Sequence, residues 1–291
     1  MKKVAIIILN YKNYKDTIEC VESLEKIKYK NFEIIIVDND SRDESIKTLR
    51  SYFKDKHIVL ESNKNGGFAY GNNVGIKYAL ENGADYILLI NNDTTVEKNF
   101  LDVLVETAEK DKNIGITTGL IMNYYDRNKI WYNGGEIDWN KFYGYHLNER
   151  GNFSTVEEIK EITFATGCLM LIKKEVFETV GLLPEEYFMY YEDVDFCVMV
   201  KNNGYKIIYN SKSKIYHKVS ASSGEEESPF AIEWNTRNRM KFYKKYKDLG
   251  SNKIKGVFPI FFYTTRLLKC TKYLKEKRID KIKSLRRGVI G

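Results

Sequence analysis

Proline is scarce, at three in 291 residues, and cysteine nearly so, at four (Cys20, Cys168, Cys197, Cys270) with no CxxC pair among them. Scattered single cysteines exclude both a zinc cluster of the usual spacing and a disulfide framework, and they suit a reducing cytoplasm. Long apolar runs are missing. The densest late cluster, Val257–Tyr263, falls far short of the ~20 residues that span a bilayer. The opening MKKVAIIILN superficially resembles a leader, but its apolar run Val4–Leu9 is short and no small-residue cleavage site follows. A buried strand is the expectation there. No Gly/Ser- or Pro-rich linker separates modules, and no internal repeat is present. Neither GxGxxG nor GxxxxGK[ST] occurs, which excludes the dinucleotide fingerprint and the Walker loop.

What is present is an ordinary globular composition, 43% hydrophobic and 30% charged, with charge of one sign gathered at one end. Residues 241–291 hold 16 Lys and Arg against 3 acids, a net of +13; the whole chain carries +7, so residues 1–240 carry −6. A tail this basic is suited to nucleic acid or an anionic membrane surface.

Four Ile/Val/Leu-rich segments punctuate the first third: Val4–Leu9, Glu33–Val37, His57–Leu60 and Tyr86–Ile90. Near-continuous apolar runs of this length are expected of strands buried on both faces. Helical spacing separates them, over 16–27 and 72–82, and follows them at Leu101, Leu104, Val105 and Ala108. Alternating strand and helix predicts a mostly parallel α/β sheet with helices on its faces. Residues 122–160 read as strands and loops facing a cleft, Ile162–Ile172 as a strand, and 174–180 and 192–202 as helices closed by Gly181 and Gly204. Residues 205–209 and 213–217 read as extended, and the last 60 residues as basic helix.

In open parallel sheets, ligands bind beyond the carboxyl ends of the strands. Each early strand here ends in a polar cluster: Asn10-Tyr11, Asp38-Asn39-Asp40-Ser41, Ser62–Gly67 and Asn91-Asn92-Asp93. Any one of these reads equally as a turn. Four on one edge read as a site. Gly66-Gly67 before a helix carrying Asn72-Asn73 suits either a plain turn or close backbone approach to a phosphate. Asp93 is a hard oxygen ligand fit for Mg²⁺ or Mn²⁺ on a diphosphate. Later, Glu192, Asp193 and Asp195 crowd a helix start behind Tyr187, Phe188, Tyr190 and Tyr191. Complementing the helix dipole needs only one or two exposed acids; a carboxylate in a partly dry site there suits a general base. Of the three histidines, His57, His146 and His217, only His217 precedes a loop of small residues, Val219–Gly224, suited to closing over a ligand.

These segments in this order resemble the family-two glycosyltransferases of the GT-A fold, within them the rhamnosyltransferase-like branch. The stretches that carry the resemblance are VAIIILNYKN, IIIVDNDSRD, NKNGGFAYGNNVGI, YILLINNDT, ATGCLMLIKKEVFETVGLLPEEYFMYYEDVDF and IYHKVSASSG, with RNRMKFYKK beyond them. The resemblance implies that residues 1–97 form the nucleotide-sugar-binding half of one GT-A domain, 98–224 its acceptor-binding and catalytic half, and 225–291 a basic helical extension. It implies that Asn10 and Tyr11 border the nucleotide, that Asp38 and Asn39 lie at the base, and that Gly67 and Asn73 pack beside it. Asn91-Asn92-Asp93 matches the motif called DXD, with Asn92 at the donor and Asp93 on the metal. Asp193, beside Glu192, matches the catalytic base, and His217 a histidine that completes metal coordination in some relatives. The expected activity is inverting, Mn²⁺- or Mg²⁺-assisted transfer from a nucleoside-diphosphate sugar, dTDP-rhamnose or a UDP-sugar, to a glycan or lipid-linked hydroxyl in cell-surface polysaccharide synthesis. Leu183-Pro184 departs from the family pattern, where an aspartate more often follows the glycine. The alternatives are a non-catalytic nucleotide-sugar-binding module and a nucleic-acid binder using the tail; no nucleic-acid motif supports the latter. For the tail itself, with Phe258, Ile260, Phe261, Phe262, Leu267 and Leu268 among lysines, the expectations are an anionic membrane surface, a solvated extension or a homodimer contact. The expected location is the cytoplasm, peripheral at the inner face of the membrane.

Overall fold

Strands β1 (Val4–Asn10), β2 (Phe32–Asp38), β3 (Ile58–Glu61) and β4 (Tyr86–Asn91) lie side by side in the order β4-β1-β2-β3, all parallel. The structure, a computed structural model, describes residues 1–147, 158–219 and 228–290. Ile6, Ile7, Ile8, Ile35, Ile36, Leu88 and Leu89 are buried, as unbroken apolar strands between two layers require. Helices α1 (Tyr14–Leu24), α2 (Ser45–Phe53) and α3 (Phe68–Glu81) make the crossovers. Register places Asn10 opposite Asp38 and Leu9 opposite Asn91, so the polar clusters do share one edge.

The chain continues through β5 (Thr94–Val96), α4 (Phe100–Ala108), β6 (Ile114–Asn123), β7 (Ile130–Tyr132), β8 (Gly135–Asp138) and β9 (Tyr143–His146). There follow β10 (Ile159–Ile162), β11 (Leu169–Lys173), α5 (Lys174–Val180), α6 (Glu192–Asn202) and β12 (Lys206–His217). The full sheet runs β10-β12-β6-β11-β4-β1-β2-β3, with β5 on β12 and β7 on β6; β8 and β9 form a separate hairpin. From the pairings, β6 and β12 run in the direction of β1–β4, while β5, β7, β10 and β11 oppose them. The sheet is therefore mixed and mostly parallel, flanked by helices. The carboxyl ends of β12 and β4 face the same edge as Asn10 and Asp38.

Several boundaries differ from the expectation. The single strand over Ile162–Ile172 is instead the end of β10 and the start of β11, separated by residues 163–168. Those six carry Gly167 and Cys168 into the site. The extended pieces 205–209 and 213–217 are one strand, β12, with a register shift between Asn210 and Lys214. Helix α3 begins at Phe68, so Asn72 and Asn73 sit in its second turn rather than its first. The loop of small residues after Val219 lies outside the described residues.

Three helices close the described chain: α7 (Pro229–Tyr246), α8 (Asn252–Lys275) and α9 (Ile279–Ile290). Ser228 caps α7, its side chain accepting from Ala231 N–H, with Pro229 at the first position. Ile232, Tyr273 and Leu285 knit the three helices together. The aromatics of α8 divide between two faces. Phe258 and Phe262 are 1% exposed and pack inward, Phe258 against Phe142 and Tyr243, which removes them from the expected surface patch. Ile260, Leu267 and Leu268 are 64–68% exposed. Among the described residues no helix is long and apolar enough to cross a membrane.

Candidate active site

The nucleotide-side cluster is a closed hydrogen-bond lattice. Asn10 Nδ2 donates to Asp38 Oδ2 (2.6 Å), and Asn10 Oδ1 accepts from Thr17 Oγ1 (2.8 Å). Asp38 also accepts from Ser41 N–H (3.0 Å) and Ser41 Oγ (2.7 Å). Both residues are almost wholly buried. A carboxylate keeps spare lone pairs even so engaged. Tyr11, next along, is 43% exposed and stands at the rim. Asn39 Nδ2 donates to Asn65 Oδ1 (3.0 Å) and to the Gly67 carbonyl (3.1 Å), tying the end of β2 to the loop before α3.

Gly67 and Asn73 fasten α3 to the loop that precedes the acid cluster. Gly67 has φ +90°, and a Cβ there would lie 1.9 Å from the Phe188 carbonyl oxygen, which accepts from Phe68 N–H (2.9 Å). The demand for glycine at 67 thus comes from the Phe188 backbone. Asn73 Nδ2 donates to the Leu183 carbonyl (2.9 Å) while its Oδ1 accepts from Leu183 N–H (3.1 Å).

At the end of β4, Asn92 Nδ2 donates to Thr17 Oγ1 (3.0 Å), bracing the turn on α1. Asp93 follows. It is 1% exposed, yet among the described residues neither carboxylate oxygen has a hydrogen bond of good geometry. Its neighbour is His217, whose Nε2 lies 3.1 Å from Oδ1. Pairing of β5 with β12 sets this contact, since His217 is in register with Thr94 and Lys218 N–H donates to the Asp93 carbonyl (2.9 Å). Burial alone would lower the imidazole pKa; the Cys168 sulfur and the Asp93 carboxylate outweigh it and raise it to about 10.

Asp193, in the first turn of α6, accepts from Gly167 N–H at Oδ2 (3.0 Å) and from Val194 N–H at Oδ1 (2.8 Å). Burial raises its pKa above the ordinary aspartate value, and those N–H donors oppose the rise. The next residue after Gly167 is Cys168, whose thiol contacts His217 and whose carbonyl accepts from Asn91 N–H (3.2 Å). Two consecutive residues therefore bridge the Asp193 carboxylate and the Asp93–His217 pair. Glu192 is different: it is 5% exposed and its Oε2 lacks a partner. Desolvation, and after it the Asp193 charge, push its pKa well above the ordinary glutamate value. Asp195, the third acid, faces α7, where it accepts from Lys245 Nζ (2.7 Å) and Tyr246 Oη.

Three contributors escaped the sequence reading. Trp131 stands edge-on between two histidines, its ring 4.6 Å from His217 and 4.7 Å from His146. His146 in turn draws the Asp193 pKa down. Asn238 of α7 is wholly buried and donates through Nδ2 to the carbonyls of Met189 (2.9 Å) and Tyr190 (3.0 Å). Tyr190 and Tyr191 both have positive φ, 68° and 77°, a conformation L-residues hold only when their surroundings impose it. The only sequence signal for Asn238 was its place in RNRMKFYKK.

A family model described as glycosyl transferase family 2 matches residues 5–181. The chain belongs to glycosyl transferase family 2. This glycosyltransferase is 27% identical over 291 aligned residues to the low-salt glycan biosynthesis hexosyltransferase Agl10 of Haloferax volcanii, covering 96% of this chain and 87% of that protein. It is 32% identical to the glycosyltransferase GlyG of Streptococcus pneumoniae, across 61% of this chain and 58% of GlyG. It is 26% identical to the dTDP-rhamnosyl transferase RfbF of Shigella flexneri, across 69% of this chain and 64% of RfbF. Thus the chain spans less than two thirds of the last two proteins. In fold, the glycosyltransferase is similar to GalNAc-T7 solved with UDP, GalNAc and Mn²⁺ (TM-score 0.71, 17% identity, 89% of this chain and 50% of that one). It is also similar to the mannosyltransferase PcManGT of Pyrobaculum calidifontis solved with GDP-Man and Mn²⁺ (TM-score 0.61, 14% identity, 98% and 73%). The fold is GT-A. Among the described residues no three His, Cys, Asp or Glu side chains group as a metal set, so Asp93 and His217 stand as a pair.

Proposed function

We propose that this glycosyltransferase transfers a sugar, with inversion, from a nucleoside-diphosphate donor to a hydroxyl of a glycan or lipid-linked acceptor in glycan biosynthesis. The observation that carries this reading is the bridge at Gly167-Cys168, which links a half-buried carboxylate, Asp193, to a buried aspartate–histidine pair. Asp193 is the general base. Its two N–H donors hold the carboxylate in one orientation, and its raised pKa favours accepting a proton from the acceptor hydroxyl as that oxygen attacks the anomeric carbon. A single displacement inverts the configuration, and no second nucleophile is required.

Asp93 and His217 fit a divalent cation. The buried Asp93 carboxylate is met among the described residues only by the His217 imidazole, 3.1 Å from Oδ1, which leaves lone pairs for a cation, and oxygen with imidazole is a donor set that Mn²⁺ accepts. Two protein ligands suffice where the donor's diphosphate supplies others. When bound, the cation supplies charge stabilisation for the departing diphosphate. Asn10, Asp38 and the exposed Tyr11 form the wall for the nucleotide. The raised pKa of Glu192 disfavours a second negative charge beside Asp193.

The Haloferax and Shigella relatives, named for glycan biosynthesis and dTDP-rhamnosyl transfer, support a glycan-biosynthesis role and a dTDP-sugar donor, with a UDP-sugar as the other donor to test. The reading also carries a cytoplasmic location at the membrane's inner face. A thermal-shift screen of nucleotide sugars with and without Mn²⁺, followed by transfer assays with NMR of the product anomer, tests the reading. A metal-dependent shift with an inverted product is expected. A retained anomeric configuration, or no nucleotide-dependent shift at all, contradicts it.

A further inference from the structure

Behind Tyr191, on the α7–α8 side, lies a cavity of about 220 Å³. Its walls include Tyr143, Tyr191 and Thr236 and three cations, Arg239, Arg266 and Lys269. Among the described residues no carboxylate forms an ion pair with either arginine. Arg239 Nε donates to the Lys141 carbonyl (2.7 Å), and its guanidinium lies 5.1 Å from the Tyr143 ring centroid. Arg266 lies 4.0 Å over the Phe262 ring; its Nη1 donates to Thr265, and its Nε is buried with no hydrogen-bond partner among the described residues. Burial and the Arg239 charge lower the Arg266 pKa to about 10. Two guanidiniums facing one hollow, with no carboxylate paired to either among the described residues, repel each other and favour an anion between them.

The hollow has a chemical neighbourhood on each side. Tyr191, which lines it, immediately precedes Glu192 and the proposed base. On the other side, Phe261 lies 6.0 Å from the Arg239 guanidinium. From Val257 through Ile260 and Phe261 to Leu267, Leu268 and Leu274, exposed apolar side chains recur at helical spacing along α8.

We propose that this cavity binds a phosphate or diphosphate group carried by the acceptor, with the acceptor's hydrocarbon chain lying along the exposed stripe of α8. The inference rests on the transferase reading and names the acceptor class for it: a lipid-linked sugar phosphate. Arginine suits the task because its planar fork binds phosphate oxygens in pairs, and Lys269 adds a point charge. A cation-lined hollow next to an apolar face selects a molecule having both an anionic head and an apolar chain. A free glycan has neither.

Calorimetric titration with farnesyl diphosphate, inorganic diphosphate and uncharged farnesol tests it, in the full chain and in its Arg239→Gln, Arg266→Gln and Arg266→Lys variants. Circular dichroism melts show whether each variant folds. Farnesyl diphosphate is expected to bind wild type at least tenfold more tightly than inorganic diphosphate or farnesol. Each Gln variant should lose tenfold or more, and Arg266→Lys should lose less than Arg266→Gln. Equal binding by wild type and the folded Arg239→Gln protein, or no binding by wild type, overturns the proposal. Phosphatidylglycerol vesicles form a further arm: if they bind with the same arginine dependence and farnesyl diphosphate does not compete, the site takes a membrane headgroup and the acceptor assignment is wrong. UDP and dTDP titrated into the same samples report on the donor side separately, so a failure of the transferase reading is seen apart from a failure of this site.

Discussion

Asn238 donates to the Tyr190 carbonyl at 3.0 Å, so a helix of the C-terminal extension holds the strained backbone that leads into Glu192 and Asp193. The extension is thus fastened to the segment that carries the proposed base rather than standing apart from it. Two of its cations point the same way: Lys241 Nζ donates to the Glu186 carbonyl (2.6 Å), and Lys245 pairs with Asp195. Asn238→Ala leaves the Met189 and Tyr190 carbonyls without that donor. A loss of about 1–3 kcal/mol in stability is expected, with kcat falling at least tenfold and donor affinity little changed. Chemical denaturation and steady-state kinetics check it; a donor-affinity loss with unchanged kcat would assign Asn238 to the wrong side of the site.

Gly167 leaves no room for a methyl group. A Cβ there would lie 2.9 Å from Phe68 Cε1 and 3.7 Å from Asp193 Cβ. Gly167→Ala must displace Phe68 or the N–H that Asp193 accepts. Turnover should drop about tenfold or more, as a general base moved from its position loses most of its 10²–10⁴-fold contribution. A variant with wild-type kcat would show that the Gly167–Asp193 contact has no catalytic role.

Glu192 links stability to pH. Burial raises its folded pKa well above the ordinary glutamate value, so its stabilising contribution is complete below the unfolded pKa and is lost as pH rises towards the folded pKa. Across that window the loss is about 1.4 kcal/mol per pH unit. Glu192→Gln removes the titration. The melting temperature of the variant should match wild type below the ordinary glutamate pKa and gain on it as pH rises above that value; parallel pH profiles would refute the assignment.

The proposed role of His217 as a ligand makes metal binding depend on pH in the opposite sense. With its pKa raised to about 10, the imidazole carries a proton at neutral pH, and a cation must displace it. Mn²⁺ affinity should therefore rise up to tenfold per pH unit between pH 6 and 8, and His217→Gln should flatten that slope. Asp93→Ala should weaken Mn²⁺ binding at every pH. Titration calorimetry of Mn²⁺ in the presence of nucleotide measures both, and a pH-independent affinity in wild type would remove His217 as a ligand.

The parallel half of the fold was legible because the near-continuous apolar runs Val4–Leu9, Glu33–Val37 and Tyr86–Ile90 suit strands buried on both faces, with helical spacing between them. Their polar ends, Asn10, Asp38 and Asp93, followed from strand direction alone. The meeting of Asp93 with His217 was not legible from spacing, since it depends on β5 pairing with β12, a contact between segments far apart in the chain. Strand β6 went unrecognised because Thr117, Thr118 and Gly119 break its apolar run. Gly119 is needed there because the Ser213 backbone of the irregular stretch of β12 presses on it: a Cβ would lie 2.4 Å from that carbonyl oxygen. The split between Phe258, buried, and Ile260, exposed, requires knowing which face of α8 meets Phe142. Composition gives the apolar content of α8 but not its orientation.

The central claim is that Asp193 removes the acceptor proton. The most direct measurement is the single-turnover rate of Asp193→Asn beside its affinity for donor. A rate lower by about 10²–10⁴-fold with donor affinity unchanged is the predicted result. A rate near wild type would contradict it.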